Sequence, residues 1–211
     1  MNKEIEKFES DTHSLKIYND ETPTNPREWD NLGIMECSHN KYQLGDEQIN
    51  SDNFNSWEEI KDYLIKEKKA EIIYPLYLYD HSGITMSITP FHCRWDSGQV
   101  GFIYTTKEKI RKYFNIKNVT KKHLEQAEMI LKDEVDTYDK FLTGDVYGYV
   151  VTEKTPVKKL IMTREEKIAN RKVLEEEDII MEKEVDSCWG FYGDDIKNEI
   201  IEIKKRFNME V

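Results

Sequence analysis

The apolar positions change period several times along the chain, and each change predicts an element. Trp57, Ile60, Leu64 and Ile65 recur at helical spacing behind Ser56-Trp57-Glu58-Glu59. That tetrad is a capping box, in which hydroxyl and carboxylate satisfy free amides at a helix start, and it predicts a helix to about residue 68. Thr106 caps a short second helix carrying Ile110, Tyr113 and Phe114. Thr120 opens the longest one, in which Leu124, Ala127, Leu131, Val135, Tyr138 and Leu142 mark a single stripe and Gly144 stops it. A terminal helix carries Ile196, Ile200, Ile203 and Phe207 and is started by Asp194 or Asp195.

Strand signals occupy the intervals. Segments 14–18, 99–104 and 145–151 read as strands, with 157–162 as a further one. Segments 71–79 and 83–89, rich in Ile, Tyr, Leu and Thr, flank the turn Asp80-His81-Ser82-Gly83 and predict a β-hairpin. Hairpin connections with interspersed helices indicate an α+β fold. The expectation is a single domain over 13–211 with a mainly antiparallel central sheet, flanking helices, and the 71–89 hairpin at the centre of the sheet.

Three stretches lack a period. Residues 1–12 are polar and are expected to form a flexible N-terminal arm. Residues 20–55 are crowded with Asn, Asp, Pro, Gly and Ser, but Trp29, Leu32, Met35 and Tyr42 supply anchors that should hold the segment down. Residues 163–178 open on Thr163-Arg164-Glu165-Glu166, which resembles a capping box, yet contain few apolar positions. An exposed helix or a mobile excursion is expected there.

Composition narrows the function. Of 211 residues 38% are hydrophobic, enough to bury a core, and 31 basic against 42 acidic side chains leave a net charge of −11. That sign argues against nonspecific binding to nucleic-acid phosphates, which requires positive charge. The longest nearly apolar run, 72–79, is broken by Pro75 and falls far short of the roughly 18 residues of a spanning helix. The charged amino terminus lacks the apolar stretch of a secretory signal, so no membrane association and a cytoplasmic location are expected.

Several constellations can carry chemistry. Cys37, His39, Cys93 and Cys188 offer thiolate and imidazole ligands for a tetrahedral zinc, although paired Cys-x2-Cys units are absent. Convergent aspartates offer calcium a hard-oxygen site, but the Asp-x-Asp-x-Asp-Gly loop is absent too, and no cofactor is expected. A hydrolase would need a nucleophile, a base and a group that orients the base; Cys188, His81 and Asp80 or Asp96 are the candidates. Walker, dinucleotide-binding and His-Glu-x-x-His patterns do not occur. Trp29, Trp95 and Trp189 each stand beside Asp or Gly in polar surroundings. With Asp30, Asp46, Asp96 and Asp186 they make a candidate recognition surface, since indoles offer large contact area and carboxylates attract a basic partner.

The motif Asn25-Pro26-Arg27-Glu28-Trp29-Asp30-Asn31-Leu32-Gly33, followed by Cys37-x-His39-x-x-Tyr42-x-Leu44-Gly45-Asp46, resembles small uncharacterised accessory proteins of bacteriophages, plasmids and other mobile elements. Tyr79-Asp80-His81-Ser82-Gly83-Ile84, Trp95-Asp96-Ser97-Gly98-Gln99-Val100-Gly101-Phe102 and Asp186-Ser187-Cys188-Trp189-Gly190-Phe191-Tyr192-Gly193 are similar to the later blocks of that family. The resemblance implies a context, the cytoplasm of a bacterial host, where such proteins counter restriction or CRISPR immunity or adjust host physiology. Two expectations follow. The first is an acidic protein that binds a host protein without turnover, the partner expected being a basic, nucleic-acid-processing defence component such as a restriction or CRISPR nuclease. The alternative is a small Cys/His or metal-dependent hydrolase built from Asp80, His81, Asp96 and Cys188. The four loops carrying Trp29, Asp80-His81, Trp95-Asp96 and Cys188-Trp189 are expected to meet on one side of the sheet.

Overall fold

The computed structural model describes residues 3–93, 95–162 and 173–209. The fold is α+β with two mostly antiparallel sheets, and the chain divides into two compact units. Both chain ends, Met1–Thr22 and Val146–Val211, build the first; Pro23–Asp145 forms the second. No helix among the described residues is long and apolar enough to cross a membrane.

In the first unit, β1 (Glu4–Glu9), β2 (His13–Asn19), β8 (Val146–Met162) and β9 (Val173–Tyr192) lie side by side in that order, every pair antiparallel. Leu15 and Ile17 of β2 and Tyr149 and Val151 of β8 alternate onto one face, as the two-residue period of a strand requires. There they form one apolar cluster with Ile196 and Ile203 of α4 (Asp195–Arg206). Burial beside Asp186 pushes the Tyr149 hydroxyl up to about 12.

Three expectations are corrected in this unit. The amino-terminal arm is a strand: Phe8 packs on the α4 cluster, and Glu9 reaches Lys154 of β8 at 2.9 Å. The separate strands at 145–151 and 157–162 are one, running through Pro156 where β8 is no longer paired with β2, the kind of position that tolerates a missing N–H. Residues 173–178 belong to β9 and not to a helix; the capping-box motif at 163–166 lies outside the described residues.

The second unit has the strand order β4 (Glu47–Gln48), β3 (Ile34–Cys37), β7 (Ser97–Thr106), β5 (Ala70–Asp80), β6 (Ile84–Ser87). The central strand is therefore β7, and the β5–β6 hairpin lies to one side with β6 at the edge, which corrects the expected placement. Ile103 of β7 joins the cluster under α3 (Lys121–Thr143), together with Leu131, Val135 and Tyr138. Phe102 and Tyr104 turn to the opposite face, where Ile60 and Leu64 of α1 (Trp57–Lys66) cover them. A short helix, α2 (Lys107–Phe114), follows β7 and buries Ile110.

The irregular stretch before α1 is held down by one cation. Arg27 donates from Nε and Nη2 to the two oxygens of Asp46 at 2.9 and 2.7 Å, from Nη1 to Glu134 at 3.0 Å and from Nη2 to the Gly33 carbonyl at 3.0 Å. The carboxylates are used again: Asp46 accepts from the Met35 amide at 2.8 Å, and Glu134 of α3 accepts from the Leu32 amide at 2.7 Å and from Gly33. Planar, bidentate geometry of this kind is what a guanidinium provides and an ammonium does not.

Candidate functional site

The sharpest convergence of polar groups lies in the second unit, where the end of β5 meets the start of β7. The Asp80 amide donates to the Asp96 carbonyl at 2.8 Å, which ties the hairpin turn to the turn before β7. His81 Nδ1 stands 3.4 Å from Asp96 Oδ2, and Cys93 Sγ donates to that same oxygen at 3.7 Å. Asp80 accepts from the Tyr42 hydroxyl at 3.2 Å and pairs with Lys41 at 3.3 Å. Hydrogen bonds to Tyr42 and Asp80 hold the Lys41 ammonium above its ordinary range.

Of these groups, Asp80 and Asp96 border a cavity of about 490 Å³. Its lining combines Asp80 and Asp96, the indoles of Trp57 and Trp95, and the neutral groups of Ser38 and Gln99. Trp57 is half-buried and meets Phe102 edge-on at 6.0 Å, so it is a fixed wall. Trp95 is 95% exposed and contributes almost nothing to the core. Two carboxylates beside an exposed indole suit a cation, which gains from ring quadrupole and charge together.

The candidate nucleophile, base and orienting group are not joined by hydrogen bonds in this cluster. His81 has an orienting carboxylate, but among the described residues no hydroxyl or thiol bonds its ring, which instead stacks on Tyr79 at 6.0 Å. Cys93 bonds the carboxylate and not the imidazole. The nucleophile candidate Cys188 belongs to β9 of the first unit.

Of the remaining candidates, Trp29 and Asp30 line a separate cavity of about 260 Å³ with Tyr113, Ile130 and Glu134. The expected meeting of Trp29 with the His81 turn is thus corrected. Asp46 is held by Arg27 through both carboxylate oxygens and keeps 23% of its side chain exposed. Asp186 and Trp189 lie in β9, in a strand and not the expected turn. Asp186 pairs with Arg206 at 2.8 Å, and Trp189 covers Gly148 and approaches the Tyr18 ring at 6.0 Å.

Of the zinc candidates, Cys37, His39 and Cys93 belong to the second unit and Cys188 to β9 of the first. Among the described residues no three His, Cys, Asp or Glu side chains form a metal-holding group. Cys37 is fully buried in the α3 cluster, and burial pushes its thiol up to about 12. His39 accepts from the Lys41 and Tyr42 amides through Nδ1 and stacks on Tyr42.

Sequence reasoning missed Lys41, Tyr42 and Gln99 as neighbours of Asp80 and Asp96, and it read Trp57 only as part of a core stripe. Its position at the first turn of a capped helix was the available signal. No family model matches the chain, and no curated protein or solved structure matches it either.

Proposed function

We propose that this chain is an acidic binding protein, an accessory factor of a phage or mobile element, whose second unit captures a basic side chain of a host protein between Asp80, Asp96 and Trp95. The observation that carries the reading is Trp95: an indole 95% exposed beside two carboxylates is apolar area that its own unit leaves uncovered. A partner Lys or Arg would stack on the ring while its charge meets Asp80 or Asp96, with the fixed Trp57 wall behind. The net charge of −11 speeds the encounter with a basic surface. The partner class that fits is a nucleic-acid-processing defence protein, such as a restriction or CRISPR nuclease, because a groove made for phosphates is basic.

The test is capture from bacterial host lysate at low and high salt, with wild type, Trp95→Ala, Asp96→Lys and His81→Ala. Attraction screened over about 8 Å at physiological ionic strength predicts preferential recovery of one basic protein at low salt. Trp95→Ala and Asp96→Lys should lose that protein, and His81→Ala should keep it. Retention by both of the first two variants would defeat the reading. A folded His81→Ala protein that still binds but loses its biological effect would favour the hydrolase instead.

A further inference from the structure

The β8–β9 hairpin outruns its own sheet. β2 accompanies β8 only as far as Glu153, and from Thr155 to Met162 β8 has β9 as its one strand partner among the described residues. A two-stranded ribbon is marginal in water unless something covers a face. One face of this ribbon presents, from its base outward, Pro156 opposite Ile180, Lys158 opposite Asp178 and Leu160 opposite Glu176, and beyond a shift of register after Ile161 Met162 stands opposite Val173. Its apolar members stand in solvent: Ile180 is 60% exposed, Val173 47%, Leu160 43% and Met162 41%.

We propose that this face is covered by the same face of a second copy of the chain, the two ribbons stacked about a two-fold axis that runs along them. That axis lays β8 of each copy over β9 of the other, row upon row. Ile180 then meets the second copy's Pro156, Val173 meets its Met162, and Lys158 meets its Asp178, each contact made twice as a two-fold interface demands. Lys158, which holds Glu176 at 3.2 Å within its own ribbon, would bridge to the other copy's carboxylate as well. The competing arrangements set like charges together. An axis across the ribbon would put Asp178 over Glu176, and edge pairing of β9 with β9 would align the acidic run Glu175-Glu176-Glu177-Asp178 with itself, which charged edges are suited to prevent. On this face charge therefore selects the axis along the ribbon, which also lays Leu160 over the second copy's Glu176, while the apolar rows at both ends supply the attraction.

Sedimentation velocity of the full chain over a concentration series tests this. Wild type should pass from monomer to dimer, and Ile180→Lys, which alters an already exposed position, should weaken the dimer at least about tenfold. Met181→Lys changes the opposite face and should leave the dimer intact. Lys158→Asp and Asp178→Lys should each weaken it, and the double reversal should restore it, which decides the matter should Ile180→Lys fail to fold. A wild-type chain that remains monomeric up to roughly 100 μM overturns the proposal. So does a dimer that Met181→Lys dissolves and Ile180→Lys does not.

Discussion

In the second unit the Arg27 guanidinium, with 3% of its side chain exposed, is shared by Asp46 and Glu134, whose side chains are 23% and 11% exposed. In the first unit Lys158 and Lys159 pair with Glu176 and Glu177 on an open ribbon where every partner is more than half exposed. The same kinds of ion pair thus do different work. Where water is excluded, each charge depends on its partner, and the cluster determines the path of an otherwise irregular segment. Where water is present, the pairs add little stability and leave their charges available to another molecule.

The largest expected effect separates the units by that rule. Arg27→Met strips the cation from two poorly hydrated carboxylates and should cost about 3–5 kcal/mol, read as a lower denaturation midpoint for the second unit. A loss below about 1 kcal/mol would mean that the cluster is no more than a surface pair.

Alkaline pH should affect the second unit first. The Cys37 thiol is raised from an ordinary 9.0 to about 12, and the Tyr149 hydroxyl from 10.0 to about 12, in both cases chiefly by burial. A raised pKa means that the folded state holds a proton the unfolded state has released. Stability is therefore complete below the unfolded value and declines as pH rises toward the folded one, by about 1.4 kcal/mol per pH unit for each such group. The decline should begin near pH 9 in the second unit and near pH 10 in the first. Unfolding curves of Cys37→Ala between about pH 8 and 11 should lose the earlier part of the slope, and an unchanged slope would show that Cys37 does not set it.

A smaller contrast comes from two glycines in strands. A β-carbon at Gly101 would run into the backbone of Glu36 and Cys37 in β3, which cannot yield without breaking the ladder. At Gly148 the atoms it would meet first belong to the ring of Trp189, a side chain that is 39% exposed and can swing aside. Gly101→Ala should cost about 1–3 kcal/mol and Gly148→Ala less, and the reverse order in thermal unfolding would contradict these packing assignments. Smallest of all, Lys159→Ala in the ribbon should change stability by less than about 1 kcal/mol.

Much of the local structure was legible from sequence because its causes are local. Ser56 bonds the Glu59 amide at 3.2 Å, Thr106 bonds the Lys109 amide at 3.2 Å, and Gly144 ends α3 in the left-handed region at φ 73°. The cap of α3 shows where such reading thins out. Its reciprocal bond comes from His123, which accepts from the Thr120 amide at 3.2 Å, and not from the Glu or Gln of the usual pattern. The amino-terminal strand was illegible because β1 lies at an edge, where polar side chains are tolerated on both faces.

The candidate site divides along the same line. Asp80, His81 and Asp96 meet because β5 and β7 are neighbours in one sheet, and turn signals at both positions made their convergence a fair expectation. Asp46 carried the same kind of turn signal, yet its partner is a guanidinium 19 residues earlier, and the third member, Glu134, comes from a helix 107 residues beyond Arg27. Residue type and period, acting over a few positions, determine where helices start and stop, which strand faces are apolar, and the acidic balance of the whole. Which distant segments pair is set by burial and register together. Only the tertiary structure could therefore decide that β2 pairs with β8 although the whole second unit intervenes in sequence, that Asp46 clamps Arg27, and that Trp95 is left uncovered.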